Sequence, residues 1–231
     1  MPQSNSRRTD YYETVSNSNA IEGNILDLGE TRQVVEYGLT LTGKPLKDQA
    51  EAKNLAEALD YLEELAADTG KPITESDIRQ LHRFVLKGID DENAGSYRSV
   101  PVKISGSDFL PPGPESLPAK MDDFGTWLRA VSAPEVLEAS LETLLNAAVA
   151  HTWFVYVHPF VDGNGRVARL LMNLLLMRGT FPIAVITKED RLRYYDSLEI
   201  AQSSDLTAFL ALLSETLLES VEEYELAVQE Q

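Results

Sequence analysis

The twelve residues from His158 to Arg169 hold a histidine, a carboxylate at Asp162, the turn Gly163-Asn164-Gly165 and the arginines Arg166 and Arg169. An imidazole such as His158 can take a proton from a hydroxyl near neutral pH. Backbone N–H groups of Gly163, Asn164 and Gly165, placed where a helix begins, can converge on one anion with the positive end of the helix dipole behind them. Arg166 and Arg169 lie three apart in the first turn of that helix, on one side of it. Two cations at the positive end of a dipole oppose each other unless an anion sits between them, which points to a polyphosphate. Asp162 beside such phosphates is the usual way to hold Mg²⁺, an ion that keeps several waters and takes substrate oxygens as ligands. Taken singly, these are a turn, a turn-forming acid, a structural histidine and two solvated arginines. Their company within twelve residues favours phosphate-ester chemistry. Phe160, between base and carboxylate, reads as an apolar anchor for the loop.

The elements that must position this run are mostly helical, because apolar residues recur at helical spacing between glycine and proline breaks. Thr74 with Asp77 opens a helix through Ile78, Leu81 and Val85 that stops at Gly88. Ser132 with Glu135 forms a capping box for a helix through Leu137, Leu141, Leu144 and Leu145 towards Val157, ended by His158-Pro159. The segment from Val167 to Arg178 is apolar almost all round, which marks a helix in the middle of a bundle, closed by Gly179. A last helix begins near Asp205 and carries Leu206, Phe209, Leu210, Leu213, Leu217 and Val221 on one face. One segment alternates: Val100, Val102 and Ile104 against Ser99, Lys103 and Ser105, followed by Gly106-Ser107 and Phe109-Leu110, the pattern of a small hairpin. The expected fold is all-α with one β-hairpin flap.

Composition narrows the partners. The chain has 231 residues, 43% of them hydrophobic, which fits one domain with a sizeable core. A formal charge of -17 argues against nucleic acid, since duplex binding needs clustered Lys and Arg. No apolar run is long enough to span a bilayer, and no apolar segment follows Arg7-Arg8 to form a secretory signal, so no membrane is expected and the default compartment is the cytoplasm. The absence of cysteine agrees with that compartment and excludes thiolate nucleophiles and thiolate metal sites.

The run from His158 to Arg169 resembles the signature of the Fic (filamentation induced by cAMP) family, His-Pro-Phe-x-Asp/Glu-Gly-Asn-Gly-Arg-x-x-Arg, at every fixed position. The resemblance extends to Ala150-His151 and Phe154-Val155, to Tyr97-Arg98 before the alternating segment, and to Arg191 with Tyr194-Tyr195. It implies a helical bundle that transfers AMP from Mg·ATP to a hydroxyl side chain, Ser, Thr or Tyr, of a target protein, releasing pyrophosphate. On these positions His158 is the implied general base and Asp162 the implied Mg²⁺ ligand. Gly163, Asn164 and Gly165 are the implied cradle for the phosphates, and Arg166 the implied contact at the β/γ end. The hairpin with Val100, Val102 and Ile104 is the implied flap that clamps the target's segment by main-chain pairing. Tyr194 or Tyr195 is the implied adenine side, against the plainer reading of half-buried packing.

Near the N-terminus, Ser18-Asn19-Ala20-Ile21-Glu22-Gly23-Asn24 is similar to the inhibitory pattern of the same family, Ser/Thr-x-x-x-Glu-Gly/Asn. It divides the chain into an arm, residues 1–45, and a catalytic core, residues 46–231. Glu22 can pair with Arg169 and withhold the cation that should seat the γ-phosphate, while Gly23 ends the helix. The same site run with water, a phosphodiesterase that removes AMP, stays open, as does a nucleotide-binding module kept shut by Glu22. The target protein and the signal that displaces Glu22 are not legible, and a homodimer stays open.

Overall fold

Val167, Ala168, Leu170, Leu171, Met172, Leu174, Leu175 and Leu176 are all buried and point to every side of one helix, so that helix has to lie inside the others. The structure, a computed structural model, describes residues 5–133 and 140–229. Its helices are α1 (Asn5–Ile21), α2 (Leu28–Glu36), α3 (Leu46–Ala67), α4 (Glu75–Leu86) and α5 (Leu117–Val131). They are followed by α6 (Leu141–Val157), α7 (Asn164–Arg178), α8 (Arg191–Ala201) and α9 (Thr207–Gln229). The central helix α7 is packed by α6, α3, α4 and α1; α5 lies on α6, and α9 on α6 and α8. Each leucine of α7 taken from water contributes about 1.5–3 kcal/mol, which makes α7 the spine that carries the site.

The end signals explain the element boundaries. Asp77 accepts the N–H of Thr74 at 2.8 Å and its hydroxyl at 2.6 Å, fixing the start of α4, and Gly88 takes a left-handed φ of 66° just beyond its end. The helix expected from Ser132 begins later. Ser132 caps the C-terminus of α5, its hydroxyl donating to the Leu128 carbonyl at 2.6 Å. The N-cap of α6 is Ser140, whose hydroxyl accepts the N–H of Thr143 at 3.2 Å. Glu135 and Leu137 lie outside the described residues. Capping residues occur at both positions, and the Ser132 hydroxyl is engaged elsewhere, also accepting the Ile73 N–H at 2.8 Å. On α9, Phe209, Leu213 and Leu217 are buried as the spacing requires, whereas Val221 is exposed past the edge of the core.

The expected hairpin is not present: among the described residues there is no strand. The alternation survives as burial, with Val102 and Ile104 half-buried between the exposed Pro101, Lys103 and Ser105. No ladder joins the two arms. Pro101 on one arm and Pro111-Pro112 on the other have no N–H to give, so main-chain pairing at the base is lost, and a lone two-stranded hairpin is marginal to begin with. A turn remains, closed by the Ser107 N–H on the Ile104 carbonyl at 3.3 Å with Gly106 at φ 80°. Arg98 does the work of a ladder. Its guanidinium donates to the Val100 carbonyl at 3.0 Å on one arm and the Pro112 carbonyl at 2.6 Å on the other.

Candidate active site

Helix α6 ends at His158, which takes a left-handed φ of 48° and turns the chain into the loop before α7. That conformation is strained for a residue with a Cβ and is held from outside, since Arg98 donates to the His158 carbonyl at 2.8 Å and the Arg98 N–H to the Pro159 carbonyl at 2.9 Å. His158 Nδ1 lies 3.3 Å from the Val155 carbonyl, so Nδ1 carries the proton and Nε2 is left as the acceptor. Burial, together with the charge of Arg98, lowers its pKa to about 4, which keeps the ring neutral.

The loop between His158 and α7 is braced from both sides. Asn164 accepts the Phe160 N–H and donates to the Phe160 carbonyl, both at 2.9 Å, so its side chain holds the loop and leaves only its backbone to the cradle. Phe160 is fully buried and stacks on His82 at 3.6 Å, as an anchor should. His82, on α4, also places its Nε2 2.9 Å from the Asp162 carbonyl and accepts the Gly95 N–H on Nδ1 at 2.8 Å. Nε2 is therefore the protonated nitrogen, and burial lowers the pKa of His82 to about 4. Gly163, at φ 77°, forms the N-cap of α7. Its N–H is taken by the Asp162 carboxylate at 2.6 Å. Asn164 and Gly165 open the helix and have no carbonyl four residues back within it, so their N–H groups face the cleft.

The two arginines diverge. Arg166 turns to α3, donating to Glu51 at 3.1 Å with Asp162 3.6 Å away, and Glu51 also accepts from Asn24 at 3.0 Å. Arg169 turns to α1: Nε donates to the Ser18 hydroxyl at 2.9 Å, one terminal nitrogen to the Ser18 carbonyl at 2.7 Å and to Glu22 at 2.8 Å, the other to the Tyr194 hydroxyl at 3.2 Å. Each cation at the start of α7 thus has a carboxylate, supplied by α3 for Arg166 and by the arm for Arg169. The Glu22 side chain remains 32% exposed, reaching over Gly165 into the cleft.

A cleft of about 560 Å³ is lined by Glu22, His158, Asp162, Gly163 and Gly165 on one wall, by Lys103 to Ser107 on a second, and by α8 residues including Tyr195, Leu198 and Glu199 on a third. That volume suits a nucleotide. Ser18, Glu22, Asp162, His158, the glycine turn and both arginines are brought together by the fold. Ile104 lies on the second wall, while Val102, half-buried, and Val100, half exposed, do not line the cleft. Of the tyrosine pair, Tyr194 is buried with its hydroxyl engaged, and Tyr195 donates to the Ile21 carbonyl at 3.2 Å. His82 and Glu51 were not legible as site residues. A histidine and an acid on the inner faces of α4 and α3 give no signal of their own until the loops they touch are known.

For a metal, Asp162 is one half-exposed carboxylate at the cleft mouth, and no group of three or more His, Asp or Glu that could cage an ion occurs among the described residues. That donor set fits Mg²⁺ arriving on a substrate's phosphates rather than a closed protein site.

The Fic/DOC family profile matches residues 72–176. A protein adenylyltransferase Fic from Nematostella vectensis is 38% identical over 97% of this chain and 51% of its own length. The chain spans about half the length of the curated relatives it matches. Among solved structures, Fic-1 (residues 134–508) from C. elegans superposes with a TM-score of 0.84 at 35% identity, over 98% of this chain and 66% of that one. A Fic domain containing signaling protein from Bacteroides thetaiotaomicron gives 0.82 at 30% identity, over 96% and 88%. With the signature run, its cleft and these relatives in agreement, the chain belongs to the Fic/DOC family.

Proposed function

We propose that this protein transfers AMP from Mg·ATP to a hydroxyl of a target protein and is held inactive by Glu22. The observation that carries the reading is the Glu22–Arg169 pair at 2.8 Å inside a cleft that also holds His158 and the start of α7. His158 Nε2 takes the proton as the target's hydroxyl oxygen attacks the α-phosphorus; the bond from that phosphorus to the bridging oxygen breaks, and pyrophosphate leaves with its electron pair. The free N–H groups of Asn164 and Gly165 stabilise charge on the α-phosphate. Asp162 would hold Mg²⁺, which neutralises the phosphate oxygens. Arg166 serves the β/γ end, and Arg169, once released by Glu22, serves the γ-phosphate.

The arm, residues 1–45, is the regulator and residues 46–231 the catalytic core. The Val100 to Leu110 segment, two arms about a turn and without a ladder of its own, offers main-chain groups to a target strand. Tyr195, Leu198 and Glu199 form the base-binding wall. The chain is free of cysteine, which suits the cytoplasm.

The test compares purified wild type, Glu22→Gly and Glu22→Gly/His158→Ala with Mg·ATP, following pyrophosphate release and AMP added to protein by intact mass. Glu22→Gly should be faster than wild type by roughly tenfold or more, equivalent to about 1.4 kcal/mol of coupling, and the double variant silent. Equal rates for wild type and Glu22→Gly would remove Glu22 from the mechanism. One feature favours a hydrolytic direction as well: Glu22 reaches over Gly165 beside the cradle, where a carboxylate can orient water. An AMP-modified protein incubated with wild type and with Glu22→Gly separates the two, because hydrolysis requires Glu22 and transfer does not.

A further inference from the structure

Arg169 is fully enclosed, and three of its four hydrogen bonds go to the arm, to the Ser18 hydroxyl and carbonyl on α1 and to Glu22 just past its end. If the arm carries Glu22 away, Ser18 leaves with it. Among the described residues, the one hydrogen-bonding partner of Arg169 outside the arm is then the Tyr194 hydroxyl on α8, at 3.2 Å. That hydroxyl in turn lies 3.0 Å from Nε2 of His151 on α6. His151 has no exposure and stacks on Phe209 of α9 at 4.7 Å, and its Nδ1 makes no hydrogen bond. A histidine sealed in the core with one ring nitrogen unpaired is costly, so the bond made by the other nitrogen matters.

The direction of the bonds follows from donors and acceptors. Arg169 can only donate, so the Tyr194 oxygen accepts from it. The Tyr194 hydrogen then has His151 Nε2 as its acceptor. The opposite arrangement, with Nε2 protonated, leaves the tyrosine hydrogen with nothing to bond and satisfies one group fewer. The ring is neutral in either case, because burial and the charge of Arg169 hold its pKa well below the ordinary value. His151 therefore turns the tyrosine hydrogen away from Arg169 and the oxygen lone pairs towards it.

We propose that His151 and Tyr194 are positioning residues for the phosphate end of the nucleotide: a fixed Arg169–Tyr194–His151 relay keeps the Arg169 guanidinium aimed at the cleft after α1 has withdrawn. The relay rests on the reading of Arg169 as the γ-phosphate contact. It makes the released state ready to bind, since the cation need not be found again among rotamers once its inhibitor is gone.

The experiment measures binding of ATP and of AMP by calorimetry in Glu22→Gly/Ser18→Ala, which weakens the α1 contacts without removing the arm. To that background are added Tyr194→Phe, His151→Leu or His151→Gln. Tyr194→Phe keeps the ring, whose centre lies 5.7 Å from the Arg169 guanidinium, and removes only the hydroxyl. The preference for ATP over AMP should fall by roughly fivefold to tenfold with Tyr194→Phe and with His151→Leu, while AMP binding holds. His151→Gln returns an acceptor near the Nε2 position and should restore the preference. Equal weakening of ATP and AMP in Tyr194→Phe, or an unchanged preference, would overturn the relay and leave the nucleotide reading in place. Absence of any nucleotide binding in the background protein would overturn both. Should His151→Leu fail to fold, Tyr194→Phe and His151→Gln still decide.

Discussion

The Glu22 carboxylate and Gly165 are so close that a methyl group on residue 165 would overlap Glu22 Oε1 and press on the Arg169 guanidinium. The missing side chain at Gly165 is what lets the Glu22 carboxylate lie across the start of α7. Its backbone is ordinary helix, so it is space and not conformation that calls for glycine here.

Gly165→Ala should therefore cost about 1–2 kcal/mol of stability with Glu22 present and clearly less in Glu22→Gly, a coupling that a double-mutant cycle in urea measures. The same methyl fills the cradle, so AMP transfer should stay absent in Glu22→Gly/Gly165→Ala. Additive costs, or an active double variant, would mean that Glu22 and the phosphates do not share the space over Gly165.

Glu51 is the second acid at the start of α7. It is nearly buried, pairs with Arg166 at 3.1 Å and accepts from Asn24 just beyond Glu22, so it ties α3, α7 and the end of the arm together. Glu51→Ala leaves a buried guanidinium with only the more distant Asp162 and should lower stability by about 3–5 kcal/mol. Thermal unfolding read by circular dichroism tests this, and a loss below about 1 kcal/mol would show that Arg166 finds a substitute partner.

Arg178 closes α7 as a purely structural cation. It is buried and donates to the carbonyls of Leu65, Asp68, Lys71 and Ser132 at 2.8 to 3.2 Å, pinning the ends of α3 and α5 to the spine. Lysine cannot reproduce that fork. Arg178→Lys should cost at least about 2 kcal/mol in chemical denaturation, and the residual folded protein should keep whatever affinity for ATP the wild type shows.

All three histidines are held neutral by burial, His82 and His158 with pKa lowered to about 4 and His151 well below its ordinary value. Because each folded pKa lies under the unfolded value near 6.5, the unfolded chain binds more protons between those limits. Stability is then full above about pH 6.5 and falls as pH drops towards 4, by on the order of 3 kcal/mol for each of His82 and His158, with His151 acting in the same direction. Urea titrations at pH 7.5 and 5.0 should show the loss, and His82→Gln should remove only the His82 share of it while keeping a bond to the Asp162 carbonyl. An unchanged midpoint across that range would contradict the buried, neutral histidines.

The helices at the heart of the fold could be read before any coordinates, because Val167 to Arg178 is apolar almost all round and the Thr74–Asp77 pair announces α4 by local chemistry. Local chemistry also misled. Ser132 is a good capping residue and serves as a cap, but of the preceding helix, where its hydroxyl joins the Leu128 carbonyl to the Ile73 N–H, a contact 59 residues away in the chain. The alternation around Val102 and Ile104 correctly marked an extended segment with one inner side, yet alternation does not say whether a partner strand exists, and the prolines at its base deny it one.

The sequence by itself determined that an imidazole, a carboxylate, glycines and cations meet between His158 and Arg169, because they lie within one turn and the start of one helix, where spacing along the chain is spacing in space. It also marked Glu22 as the acid at the end of a separate helix. Only the tertiary structure decided what those groups face: that Arg166 belongs to Glu51 and Arg169 to Ser18, Glu22 and Tyr194, that His82 holds the Asp162 loop, and that His151 lies behind Tyr194. Such contacts join residues from 25 to 151 positions apart, which no local pattern encodes and which exist only once α1, α3, α4, α6 and α8 have closed around α7.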